Sequence, residues 1–254
     1  MKTTALQELH DLESTYWWHV GRLSIIEKQI QKITRSNKKL ESGKPKILNI
    51  GSGTGGTLPI LEKFGMVHNV DTSKEALRFL EMSGYKGTLV KGLELPFKDN
   101  TFDVVTALDV LEHIEKDHTA LTEWFRVLKP GGSMLLTVPA YQWLWSQHDV
   151  INNHHRRYLK KNLRALIKKA GFSIDKASYA IVFSFPIVAG FRIMSKLSKQ
   201  KPEDYSSFVK IRPSINKLFI NFLKLEAQTQ KQINFPLGTS ILVVAKKPLK
   251  GKSS

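Results

Sequence analysis

Residues 47–56 read Ile-Leu-Asn-Ile-Gly-Ser-Gly-Thr-Gly-Gly, and Asp71 follows Gly51 by twenty positions. The apolar run Ile47, Leu48 and Ile50 is too short for a helix and is bounded by Pro45 and the glycines, which predicts a buried parallel strand. Gly51, Gly53 and Gly55 lack β-carbons. They allow positive φ and let backbone N–H groups approach a ligand closely, ahead of a helix predicted over 56–64. A second strand is predicted over Met66–Val70, with Asp71 at its tip, where a carboxylate can accept hydrogen bonds from both hydroxyls of a ribose. The pair predicts an adenosine-containing cofactor. Gly51, Gly53 and Gly56 also satisfy the dinucleotide spacing, so the bend alone leaves the choice of cofactor open.

The downstream sequence decides. Residues 95–114 read Leu-Pro-Phe-Lys-Asp-Asn-Thr-Phe-Asp-Val-Val-Thr-Ala-Leu-Asp-Val-Leu-Glu-His-Ile, and 125–139 read Phe-Arg-Val-Leu-Lys-Pro-Gly-Gly-Ser-Met-Leu-Leu-Thr-Val-Pro. Asp103–Leu108 is a short apolar strand. Leu121, Trp124, Phe125 and Leu128 recur at helical spacing, predicting a helix over 117–128 that Pro130 and Gly131 stop, and Ser133–Val138 supplies the next strand. With the glycine bend in front of it, this series resembles the class I S-adenosylmethionine-dependent methyltransferases, in particular the small-molecule branch that includes quinone-biosynthesis enzymes. The resemblance covers about residues 45–175, with several motifs in the family's order.

The resemblance implies a Rossmann-like α/β fold: a seven-stranded, mostly parallel sheet with helices on both faces. It places the methionine end of S-adenosylmethionine on Gly51, Ser52, Gly53 and Gly55, the ribose on Asp71 and Thr72, and the adenine near Gly92 and Leu93. Asp109 is to border cofactor and acceptor. Asn49 stands where an acidic residue is usual before the glycines; it can still accept hydrogen bonds, without charge. The segment Tyr16-Trp17-Trp18-His19-Val20-Gly21-Arg22 is similar to an aromatic N-terminal stretch of the group, implying that its aromatics cover the sulfonium and that Arg22 pairs with the cofactor's carboxylate. Plain packing is the competing reading of Trp17 and Trp18.

The chain of 254 residues is expected to form one methyltransferase domain. Residues 1–44 are an N-terminal helical cover, 45–180 the cofactor-binding core, 181–236 a helical insertion or lid, and 237–248 the last strand. Within these bounds Leu6–Trp18, Gly21–Ile33, Leu159–Ala170, 185–199 and 211–231 read as helices, Arg35–Lys46 as a polar linker, and Phe172–Ala180 and Ser240–Ala245 as the sixth and seventh strands. No cysteine is present, which excludes disulfides and cysteine nucleophiles. Polar Lys2–Gln7 does not resemble a secretory signal, so a cytoplasmic setting is expected.

Charge divides the chain. Residues 1–150 hold 18 Lys plus Arg against 18 Asp plus Glu, while 151–254 hold 21 against 4, the whole of the formal excess of +17. A basic C-terminal part suggests an anionic partner, with peripheral association at the inner membrane face as one form and a solvated basic surface as the bland alternative. Nucleic acid is less favoured, because no exocyclic-amine motif and no appended RNA module are recognisable.

Residues 138–159 contain Pro-Ala-Tyr, Leu-Trp-Ser, His-Asp and His-Arg-Arg-Tyr, similar to a methyltransferase subgroup associated with cell-envelope pathways. They follow the carboxyl end of a central strand, where an acceptor pocket is expected, and Tyr141, Trp145, His148, His155, Arg156, Arg157 and Tyr158 are its candidate residues. His148, Asp149, His154 and His155 lack helical zinc spacing, so no metal is expected. Since the sulfonium carries the difficult chemistry, one proton acceptor suffices for a hydroxyl nucleophile. His113, just beyond the fourth strand, is the candidate base, with His148 and His155 as substitutes. The expected activity is O-methylation of a small-molecule or lipid-linked acceptor, with RNA methylation and a non-catalytic cofactor-binding regulator as alternatives.

Overall fold

The structure, a computed structural model, describes residues 3–36, 43–197 and 211–249. Part of the polar linker and the stretch between the two helices of the insertion lie outside them. In chain order the elements are α1 (Thr3–Leu12), α2 (Trp17–Ser36), β1 (Lys46–Ile50), α3 (Leu58–Leu61), β2 (Met66–Asp71), α4 (Lys74–Met82), β3 (Gly87–Leu89) and β4 (Phe102–Leu108). There follow α5 (Asp117–Val127), β5 (Leu128–Pro139), α6 (Gln147–Ile151), α7 (Lys160–Lys169), β6 (Ser173–Ala180), α8 (Phe185–Leu197), α9 (Pro213–Thr229) and β7 (Ser240–Lys246).

The strands form one seven-stranded sheet of order β3-β2-β1-β4-β5-β7-β6. Pairs from β3 to β5 are parallel, and β7 runs antiparallel to both β5 and β6. The chain leaves β1 toward β2 on one side, while β4 adjoins β1 on the other. Their carboxyl ends therefore open a crevice at the point where the strand order reverses.

Both faces of the sheet are covered. On one, α5 and α7 press Leu121, Trp124, Leu163 and Ile167 onto Val105, Met134 and Leu136. Burying side chains of this size contributes about 1.5–3 kcal/mol each. On the other, Ile25, Ile26 and Ile30 of α2 join Leu58, Leu80, Leu135 and Leu242. So α2 is a core helix with only its first turns toward the crevice, and α1 packs Leu6 against Ala76 and Phe79 of α4. The insertion is likewise anchored: α9 buries Leu223 and Ala227 against α2. At that crossing Gly21 is required, since a β-carbon there would overlap the side chain of Leu223.

Three local expectations are revised. The first helix, expected over Leu6–Trp18, ends at Leu12, and Trp17 and Trp18 open α2 instead of closing α1. The helix after the bend is a single turn, Leu58–Leu61, because Gly53 to Gly56 are spent on the turn itself. Helix α5 ends at Val127, before Pro130, and β5 begins at Leu128 with a register shift opposite Phe102 and Val104.

Candidate active site

The bend after β1 is held from behind. Gly51 and Ser52 donate their N–H groups to the carbonyl of Val70 at 2.9 and 3.2 Å. Gly51 has φ of +68°, and a β-carbon there would strike Val110 beyond β4, so its lack of a side chain lets the two crevice walls meet. Asp71 ends β2 as expected. Its Oδ2 accepts from the N–H of Gly53 and its Oδ1 from that of Ser73, both at 2.9 Å. The carboxylate thus ties the bend to the start of α4 and keeps lone pairs for a ligand. Ser52 Oγ and Thr54 Oγ1 are buried in this bend with no hydrogen-bond partner among the described residues. Unpaired buried hydroxyls are costly, so a polar ligand seated on the bend would satisfy donors and acceptors already in place.

The other expected cofactor positions divide. Gly55 lies in the bend. Thr72 is exposed beside Asp71, and Gly92 is exposed after β3 with φ of +70°. Leu93 is half-buried against the core. Asn49 is differently occupied: its Nδ2 donates to Asn69 Oδ1 at 3.2 Å and its Oδ1 accepts from Thr106 Oγ1 at 3.0 Å. It bridges three neighbouring strands inside the sheet and is turned to structure instead of the cofactor.

Arg22 also departs from its expected pairing. Its Nη2 lies 2.6 Å from Asp109 Oδ2 and donates to Thr137 Oγ1 at 3.0 Å, while Thr137 donates to Asp109 Oδ1 at 3.0 Å. The guanidinium sits 5.1 Å from the ring centre of Trp18. Arg22 therefore has a carboxylate of its own chain, and Asp109, with φ of +59°, is fixed at the crevice mouth. Glu13 lies over Gly56, and burial pushes its carboxyl up to about 7.

Beyond Asp109 one 3₁₀ turn, Leu111–His113, presents Glu112 and His113. The imidazole of His113 lies edge-to-face on His154 with centroids 4.6 Å apart. Burial, with His154 beside it, lowers the His113 pKa to about 4. Burial followed by Arg22 does the same for His19, also to about 4. His148 is lowered mainly by burial. Glu112 is 0% exposed with both carboxyl oxygens unpartnered, and burial, then Asp109, raises its pKa well above the usual range. Glu112 and His154 are members of this cluster that the sequence reading passes over as site residues. The Leu-Glu-His triplet carried the signal for the first, and the adjacent pair His154 and His155 for the second.

The segment after β5 splits between pocket and scaffold. Tyr141 stacks on Tyr179 at 5.0 Å and meets Phe185 at 5.5 Å, with Trp143 alongside, forming an aromatic wall next to α8. Trp145 is half-buried at the end of the following turn, and His148 is mostly covered. Four of the expected substrate residues have other duties. Arg156 donates to Asp117 Oδ2 at 3.0 Å and to the carbonyl of Glu115 at 2.8 Å. Arg157 is bidentate to Asp149 at 2.8 and 2.9 Å. The buried Tyr158 donates to Asp117 Oδ2 at 3.0 Å. His155 is exposed, and only its backbone reaches inward, donating to the carbonyl of Glu112 at 2.7 Å. Asp117 and Asp149 claim the two guanidinium groups, so these residues hold the loop in place.

Comparison with known proteins points to methyltransferases. Residues 48–136 match a family model described as a methyltransferase domain. A sterol 24-C-methyltransferase of Aspergillus fumigatus is 35% identical over 123 residues, 44% of this chain and 32% of that protein. The chain thus spans about a third of that relative's length. An uncharacterised protein of Methanocaldococcus jannaschii is 31% identical over 141 residues, 53% of this chain and 67% of its own. Among solved structures, phosphoethanolamine N-methyltransferase 2 of Haemonchus contortus in complex with S-adenosyl-L-methionine superposes with a TM-score of 0.54. It is 21% identical, over 87% of this chain and 52% of that one, a likeness of fold.

Proposed function

The chain belongs to the class I S-adenosylmethionine-dependent methyltransferases, and from that premise we propose that it transfers the methyl group to a hydroxyl of a small or lipid-linked acceptor. One observation carries the reading: the glycine bend, with its unpartnered Ser52 and Thr54 hydroxyls and the Asp71 carboxylate, lies against Val110, the residue between Asp109 and the turn that bears His113. The cofactor, when bound, supplies a methyl carbon already activated by a sulfonium, so the protein's task is alignment and proton removal. Ser52, Gly53 and Asp71 are assigned to hold it, and Asp109, locked by Arg22 and Thr137, to border its reactive end.

His113 is assigned the acceptor's proton. Its lowered pKa keeps the imidazole neutral, hence able to accept, at any pH above about 4. We expect His113→Ala to lower kcat on the order of 100-fold, the lower range for loss of a general base, with little change in cofactor affinity. With the native residue the acid limb of the pH profile of kcat/KM should lie near 4, well below the ordinary histidine value of 6.5. The assay is transfer from a labelled methyl donor into fractionated lipid, glycan and RNA pools, followed by intact mass. Equal turnover in the two proteins would remove His113 from the mechanism.

A membrane-borne acceptor is the form of this reading that the surface favours. Helix α9 exposes Ile215, Leu218, Phe222 and Leu225 at alternating intervals of three and four residues, one stripe of the helix. Ile187 and Met194 are exposed on α8, next to the aromatic wall. Lys217 and Lys224 are also exposed on α9, in the basic part of the chain. No described helix is long and apolar enough to cross a membrane, so contact would be at the interface. The protein should co-sediment with vesicles containing phosphatidylglycerol, less so at high salt, and Leu218→Ser with Leu225→Ser should reduce that binding. Retention on RNA without vesicle binding would favour the nucleic-acid alternative, which rests on charge alone.

A further inference from the structure

Among the described residues, one carboxylate oxygen of Glu112 and one nitrogen each of His113 and His154 lie within 4.8 Å of one another. Neither Glu112 oxygen has a hydrogen-bond partner, so its lone pairs are not claimed by the two imidazoles beside it. We propose that Glu112, His113 and His154 form a binding site for a divalent transition-metal cation at the acceptor end of the crevice.

Two observations support the proposal. Glu112 is 0% exposed and unpartnered, and a buried carboxyl group either keeps its proton or is paired or bound to a cation, which here would displace that proton. His154 Nδ1 lies 2.9 Å from Asp149 Oδ1. An ionised carboxylate can only accept, so Nδ1 carries the proton and Nε2 the lone pair. Asp149 is itself clamped by Arg157. An imidazole held by a carboxylate through the opposite nitrogen is the usual outer arrangement of a histidine ligand.

Two imidazoles and one carboxylate suit zinc, iron or cobalt better than magnesium or calcium, and three protein ligands leave positions open. The chain's linear spacing conceals the set, because His154 reaches the turn only through the fold. The site deepens the methyltransferase reading and rests on it. An acceptor hydroxyl bound to the cation would release its proton to solvent. Its oxygen would then form the new O–CH₃ bond as the S–CH₃ bond breaks, leaving S-adenosylhomocysteine. In the cation-bound protein His113 would act through the cation as its ligand, and the loss expected on His113→Ala would then follow from loss of the cation.

The test uses the full chain, stripped with a chelator and titrated with Co²⁺, read by metal analysis after desalting and by the visible absorption of the bound ion. We expect one Co²⁺ per chain. Asp149→Asn should weaken binding about 10–100-fold, the usual effect of losing an outer partner, and Glu112→Gln and His154→Ala should weaken it more. His155→Ala should bind as the native protein does. Glu112→Gln keeps size and shape, so a folded variant is available, and thermal melts confirm it. Absence of Co²⁺ from the native chain, or equal binding by Glu112→Gln and His154→Ala, overturns the site. Calorimetry with S-adenosylmethionine on the stripped protein separates the two ideas: cofactor binding without Co²⁺ binding sinks only the cation site, whereas loss of cofactor binding sinks the methyltransferase reading.

Discussion

Replacing Asp71 with Ala is expected to weaken S-adenosylmethionine binding about 100-fold while leaving the fold intact. The carboxylate accepts one backbone N–H on each oxygen, from Gly53 and from Ser73, both at 2.9 Å. An ionised carboxylate has about four lone-pair positions, so roughly two are left for the two ribose hydroxyls. Hydrogen bonds to a charged group contribute about 1.5–3 kcal/mol each, and the loss of two at the lower figure, about 3 kcal/mol, is about two decades of affinity. The same change frees the N–H of Gly53, which loosens the bend that carries Ser52 and Thr54. Asp71→Asn should fall between, since its amide keeps one acceptor oxygen but turns a donor toward N–H groups. Titration calorimetry on both variants, with thermal melts to confirm folding, is the measurement. Native affinity in a folded Asp71→Ala protein would dissociate β2 from cofactor recognition, and binding of a nicotinamide dinucleotide instead would reverse the choice made between the two glycine spacings.

Sequence patterns disclose the part of this site that one supersecondary unit builds by itself. Ile47–Ile50, bounded by Pro45 and Gly51, is a short and largely apolar run whose length excludes a helix, and the bend after it and Asp71 at the interval of twenty follow from it. Contacts between remote segments escape such reading. Arg22 is visible as a cation near the cofactor, but its partner Asp109 lies beyond four further strands. Asn49 looks like a polar residue before a binding loop, and the sheet claims both of its amide atoms. The adjacent pair His154 and His155 shows the sharpest limit. Only the fold decides which of two neighbouring side chains turns inward, and the one that does meets His113 and Asp149.

The same logic makes Asp149 the residue whose loss should cost the structure most. Its side chain is 0% exposed and accepts from the N–H of Ser146 at 2.8 Å, from its hydroxyl at 3.1 Å, from His154 Nδ1 at 2.9 Å, and twice from Arg157 at 2.8 and 2.9 Å. Asp149→Ala would leave the Arg157 guanidinium, 11% exposed, charged and without this partner. Breaking a buried pair in this way costs about 3–5 kcal/mol, a large part of the roughly 5–15 kcal/mol by which a domain is stable. Removing both partners should cost less than the single change, so Asp149→Ala combined with Arg157→Met is expected to recover part of the loss. Acid should reproduce the effect in the native chain. Burial pushes the Asp149 carboxyl up, but His154 and Arg157 outweigh it and hold the pKa well below the ordinary 3.8. A depressed carboxylate contributes stability in full above its unfolded value and loses it as pH falls through 3.8 toward the folded value. Denaturant midpoints measured from neutral pH downward should therefore drop more steeply for the native protein than for Asp149→Ala over that interval. Parallel curves for the two proteins would show that the ion pair contributes nothing to this dependence.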